Sequence, residues 1–122
     1  MPEVVFFREA DGRVPMLEWL RGLPAVTQDK CQERLELLRR QGHELRRPVA
    51  DFLDSGIHEL RVRHGHAQFR MLYFFHGREV VVVSHGFMKA GQKVPRTEID
   101  RAIQKRWRYL SDPKGHRFAM GA

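Results

Sequence analysis

Basic side chains set among apolar ones are the feature of this chain most able to do chemistry. Arg61 and Arg63 alternate with Leu60 and Val62. Arg70 sits inside Phe69-Arg70-Met71-Leu72-Tyr73-Phe74-Phe75, and Lys89 and Lys93 follow the run that begins at Val80. Arginine presents a planar fork of donors that matches phosphate oxygens, so such a set can hold an anion. Arg70 is the informative member, because an unpaired charge inside an apolar strand is costly to bury. Either it pairs with a carboxylate, with Glu59 as the candidate, or it faces a groove that receives an anion. Arg61 and Arg63 taken alone are the ordinary solvated face of a strand.

Other chemistries have weaker signals. The chain has seven histidines, with His64 and His66 flanking Gly65, but no Cys-x-x-Cys or His-Glu-x-x-His spacing. No metal site is expected, and His64-Gly65-His66 reads as a polar turn. Gly86 to Lys93 lacks the Gly-Lys-Ser/Thr ending of a nucleotide-binding loop, so no cofactor is expected. Cys31 falls on the apolar stripe of a helix and reads as a small core residue, not a nucleophile.

The elements that must position the basic set follow from pattern. Glu3 to Arg8 reads as a strand, with a turn at Asp11-Gly12. Pro15 can start a short helix that ends at Gly22. A longer helix runs from Pro24 to Gly42, with Cys31, Leu35 and Leu38 on one face. Residues 43–56 read as a loop. Three consecutive strands follow at Ile57–Arg63, Phe69–Phe75 and Val80–Lys89, with turns at Gly65 and Gly77. The four valines mark the third as central in the sheet. A last helix takes Ile99, Ala102, Ile103, Trp107 and Leu110 as its apolar stripe and leaves Arg101, Lys105, Arg106 and Arg108 on its basic side. Asp112-Pro113 ends it. The fold class is therefore α+β, in one domain over residues 1–113, with a loose tail over 114–122.

Bulk properties narrow the class of partner. Length 122 and 42% hydrophobic content suit one domain with a real core. Lys and Arg number 22 against 15 acidic residues, a formal charge of +7, which points to a polyanionic partner. Apolar runs are far short of the ~20 residues of a membrane span, and no secretory signal is visible at Met1-Pro2-Glu3-Val4. A single cysteine fits a reducing cytoplasm.

The ordered set Glu59-Leu60-Arg61, Phe69-Arg70-Met71-Leu72-Tyr73-Phe74, His85-Gly86-Phe87-x-Lys89, Gln92-Lys93-x-Pro95 and Glu98-Ile99 resembles the HigB-like, phage-derived (Gp49-like) branch of the RelE/ParE toxin superfamily. The likeness runs from the first strand to the last helix. It implies a β-α-α-β-β-β-α fold, with an antiparallel-rich sheet packed on an N-terminal helical hairpin. It implies a type II toxin: a metal-independent endoribonuclease that cleaves messenger RNA on the ribosome by attack of the ribose 2′-hydroxyl. A helix-turn-helix (HigA-like) antitoxin is the implied partner, beside mRNA and ribosomal RNA. The catalytic candidates are Arg70 with Arg61 on the phosphate, and Lys89, Lys93 or His85 for proton transfer. Arg63, Arg101, Lys105 and Arg108 are the candidates for wider RNA contact. The branch often carries two successive lysines after Gly-Phe-x, whereas Lys89 is followed here by Ala90. A ParE-like gyrase inhibitor and a non-catalytic binding module are the competing readings.

Overall fold

The computed structural model describes residues 1–121. In chain order the elements are β1 (Glu3–Phe7), α1 (Pro15–Arg21), α2 (Ala25–Gln41), a single 3-10 turn (Gly42–Glu44), β2 (Ala50–Asp54), β3 (Ile57–His64), β4 (Ala67–His76), β5 (Val80–Lys89), α3 (Arg96–Ser111) and β6 (Arg117–Ala119). Six strands form one mixed sheet in the order β2-β3-β4-β5-β1-β6. Among the described residues only the β1–β5 pair is parallel. The fold is α+β, and the helical hairpin and the three central strands lie where their sequence patterns put them. No helix among the described residues is long and apolar enough to cross a membrane.

Two segments differ from expectation. The stretch 43–56 is not all loop. It holds β2, which pairs with β3 through a hairpin turn at Ser55-Gly56, both at positive φ (53° and 80°). Positive φ at both central residues is the turn geometry that matches strand twist. The tail is not all loose either. Arg117–Ala119 pairs antiparallel with β1 and covers what would otherwise be an open strand edge.

The sheet is buried on both faces. On one side α1 and α2 place Met16, Leu20, Cys31, Leu35 and Leu38 against Phe6, Leu60, Met71, Tyr73 and Val83. On the other, α3 places Ala102 and Tyr109 against Phe7, Leu72, Phe74 and Val82. The roll of α3 corrects the expected stripe. Trp107 and Leu110 are exposed, while Lys105 and Tyr109 are buried. From Ile99 and Ala102 the helical period can continue through either pair. Tyr109 wins because its ring packs on Phe74 and its hydroxyl meets His76 Nδ1 at 3.0 Å.

A bulge in β5 sets which side chains reach the α3 face. Leu72 pairs with His85 but Tyr73 pairs with Val83, so Ser84 is an extra residue. In a strand, a one-residue shift sends every following side chain to the other face. The bulge therefore brings Phe87 opposite Arg70 and Lys89 opposite Gln68, on the face that carries the basic residues. It also turns Gly86 toward α1, where an added Cβ would lie 2.2 Å from the Trp19 ring. Gly86→Ala should therefore destabilise the protein by ~1–3 kcal/mol through overpacking, and Trp19→Leu in the same chain should recover part of that loss. Urea unfolding of the single and double variants measures both.

Candidate active site

Arg61 and Arg70 are direct cross-strand partners on β3 and β4. Like charges placed so repel, and the sequence resolves this two residues earlier on the same face with Glu59. Its side chain is 5% exposed. One carboxylate oxygen accepts from Arg70 Nε at 2.7 Å, and the other accepts from Arg61 Nη2 at 2.9 Å and Nε at 3.2 Å. Arg70 pairs with Glu59, the first of its two alternatives, and it also lines a cavity of about 290 Å³. That cavity collects Arg61, Arg70, Lys89 and Lys93 around Glu59, and Ile99 of α3 also lines it. Four of the five catalytic candidates thus come together.

The two arginines are not equivalent. Arg70 is 8% exposed and is bound three ways, to Glu59, to the Phe69 carbonyl at 3.1 Å and to Gln68 Oε1 at 3.0 Å. Arg61 is 31% exposed. Its Nε and Nη2 are held by Glu59, with Asp51 at 3.5 Å, and its Nη1 has no protein partner among the described residues. Arg61 therefore has the free donors, and Arg70 is the fixed charge behind it. Lys89 is half-buried and Lys93 exposed.

His85 does not join them. It is 2% exposed and lies between Ser84 and Glu98, with Nδ1 2.7 Å from the Ser84 hydroxyl and Nε2 3.0 Å from Glu98 Oε1. A neutral ring that accepts from the hydroxyl and donates to the carboxylate satisfies all three groups. Burial, with Lys105 and Arg101 nearby, pushes its pKa down to about 3. A ring so buried, with both nitrogens hydrogen-bonded, ties β5 to α3.

The wider RNA-contact candidates are dispersed. Arg63 bonds the Gly65 carbonyl at 3.0 Å and lines a separate cavity beside α2. Arg101 and Arg108 are exposed but paired, with Glu98 at 2.9 Å and Glu9 at 3.1 Å. Lys105 is 5% exposed, not part of a basic surface, and its Nζ has no hydrogen-bond partner among the described residues. Burial lowers its pKa to about 8. Pattern reasoning missed Asp51 and Gln68, which hold the two arginines. Asp51 lay in a stretch without a period. Glu59 is the carboxylate the sequence offers for Arg70, and its hold on Arg61 as well follows from the cross-strand register.

A larger cavity, about 1050 Å³, lies at the far end of β5 between the N-terminus and the β4–β5 turn. It gathers no buried charge, and the smaller cleft around Glu59 is the better chemical site. Among the described residues no group of three or more His, Cys, Asp or Glu is placed to hold a metal ion.

A family model described as phage-derived protein Gp49-like (DUF891) matches residues 18–107. That span contains every residue of the cleft. No curated protein matches the chain.

The buried histidines predict an acid-side loss of stability. An unfolded histidine takes up a proton near pH 6.5, whereas folded His85 stays neutral to about 3. The unfolded state then binds more protons below pH 6.5, so stability falls as pH falls through that window, at up to ~1.4 kcal/mol per pH unit. His58, also lowered by burial, acts in the same direction. Between pH 6.5 and 5, above most carboxylate titrations, chemical denaturation should show this slope, and His85→Gln should flatten it.

Proposed function

The chain belongs to the Gp49-like family of phage-derived proteins, a RelE-like toxin family associated with toxin–antitoxin systems, and from that premise we propose that it is the endoribonuclease toxin of a type II pair, cleaving messenger RNA on the translating ribosome in the cytoplasm. The observation that carries this reading is the Glu59 carboxylate holding two guanidiniums at one cleft whose rim carries two lysines.

In the proposed reaction the ribose 2′-oxygen attacks the adjacent phosphorus. The P–O5′ bond breaks, leaving a 2′,3′-cyclic phosphate and a 5′-hydroxyl. The 2′-hydroxyl proton must be removed, and the leaving 5′-oxygen must gain one. Charge accumulates on the non-bridging oxygens as the phosphorane forms. Arg61 meets those oxygens through its free Nη1, and Arg70 supplies a fixed second positive charge that needs no reorganisation. This reverses the order of importance expected from sequence, where Arg70 led and Arg61 assisted. The proton steps fall to Lys89 and Lys93. They are the remaining titratable side chains of the cleft, since both Glu59 oxygens already accept from arginine. Lys93 then serves where the family resemblance leads one to look for a lysine at Ala90.

The proposed protein partner is a helix-turn-helix antitoxin of the HigA-like kind. The +7 charge favours an acidic docking segment and fast, salt-sensitive association. The same charge supports contact with ribosomal RNA through phosphates.

Expression in a bacterial host without the antitoxin should produce new 5′-hydroxyl ends inside translated codons. Arg61→Ala should reduce their yield ~10²–10³-fold while the fold stays intact, because that side chain is partly exposed. Arg70→Ala should both abolish cleavage and destabilise the protein, because it strips a buried carboxylate of one partner. Growth arrest without new ends, accompanied by DNA breaks, would instead indicate gyrase inhibition.

A further inference from the structure

A second cavity, of about 540 Å³, opens beside the edge strand β2 and takes no part in the chemistry above. It lies on the hairpin face of the sheet. His43 stacks on Phe75 with ring centroids 3.7 Å apart and planes at 16°. His58 meets the Phe52 ring edge-on at 5.2 Å. Phe52 itself is 55% exposed. Arg46 and Arg47 also line the cavity.

This cavity is wired to the cleft. Asp51 Oδ2 accepts from Arg47 Nε at 2.8 Å and from Arg61 Nη2 at 3.5 Å. One carboxylate thus ties an arginine of the cavity to an arginine of the cleft. The chain Arg70–Glu59–Arg61–Asp51–Arg47 crosses from β4 over β3 to the edge of the sheet. Between β3 and β2 the step is one strand spacing, ~4.8 Å. Because Phe52 and His58 face the hairpin side while Asp51, Glu59 and Arg61 face the α3 side, the way from cleft to cavity rounds the edge of β2. Arg47 is 75% exposed, and its two Nη groups have no protein partner among the described residues.

Exposed aromatic faces beside free guanidinium donors are what single-stranded RNA uses: a splayed base stacks on the ring, and arginine meets the neighbouring phosphate. A protein side chain could fill an apolar slot, but it would not call for a line of arginines leading back to a phosphate site. We propose that this cavity is a nucleobase subsite of the same enzyme. It takes the base of a nucleotide a few positions from the cleaved bond, stacked on Phe52 beyond the edge of β2, with Arg47 on the intervening backbone. The inference rests on the endoribonuclease reading and adds a place where base preference is set.

The probe is a short single-stranded oligoribonucleotide with a 2′-deoxy nucleotide at its centre to block cleavage and 2-aminopurine placed in turn at each flanking position. Stacking quenches its fluorescence. The wild-type protein at low salt should bind and quench it. Phe52→Ala should weaken binding about 5- to 100-fold and abolish the quench, with Phe52→Leu as a second variant that keeps an apolar side chain. Arg61→Ala should weaken binding yet retain the quench at saturation. If Phe52→Ala binds and quenches like wild type while Arg61→Ala is still weak, the base lies elsewhere; the subsite is overturned and the cleft survives. If Phe52→Ala weakens only the antitoxin complex, the cavity is a protein-docking site and the inference is equally overturned. If neither variant changes affinity, or wild type does not bind, the subsite is overturned; the cleavage reading, which places the RNA on the ribosome, falls only if no new 5′ ends appear on expression.

Discussion

Two arginines face each other across adjacent strands, and one buried carboxylate makes that arrangement possible. Glu59 is the constraint on which the site depends. Without it, Arg61 and Arg70 would repel in a poorly solvated place, and Arg70 would be a buried charge with no counter-ion. With it, a compact group of net positive charge is held at the end of the sheet where β5 and α3 converge. The triad is no argument for high stability, since buried ion pairs roughly break even against apolar packing. Its value lies in holding positive charge in place before an anion arrives.

The remaining architecture brings other groups to that triad. The hairpin of α1 and α2 buries one face of the sheet and seats Trp19 over Gly86. The extra residue at Ser84 switches the facing of β5, so that Lys89 shares the triad's face. His85, tied to Glu98, fixes the start of α3 against the sheet, and Ile99 one residue later lines the cleft. Asp51 extends the line of charge to β2. Each device is local, and each acts by deciding which way a side chain faces.

Much of this was legible in the sequence. Period-2 and period-3.6 patterns located the hairpin, the three central strands and α3, and four cleft residues were recognised by type. What escaped was what pattern cannot encode. β2 was hidden because Asp51, Leu53 and Asp54 share no clean alternation with Ala50 and Phe52; Asp54-Ser55-Gly56 is a loop signal in the sequence, but that it closes a hairpin shows only in the structure. β6 is three residues long and exists because β1 leaves an edge to cover. Lys105 was read as surface because composition favoured Trp107 and Leu110 as the buried pair. The roll of α3 is settled instead by Tyr109, a tertiary preference. His85 has the right intrinsic pKa for catalysis, but it is buried and does not line the cleft.

The most direct measurement is of the arginine side chains themselves. With the protein labelled at arginine nitrogen, side-chain resonances can be followed during titration with an oligoribonucleotide blocked by a 2′-deoxy nucleotide at its centre. If the cleft holds the phosphate at the cleaved bond, the Arg61 and Arg70 signals should shift together and saturate at one concentration, before those of Arg101 and Arg108. Shifts confined to Arg101 and Arg108 on α3, with Arg61 and Arg70 unmoved, would place the RNA elsewhere and contradict the account.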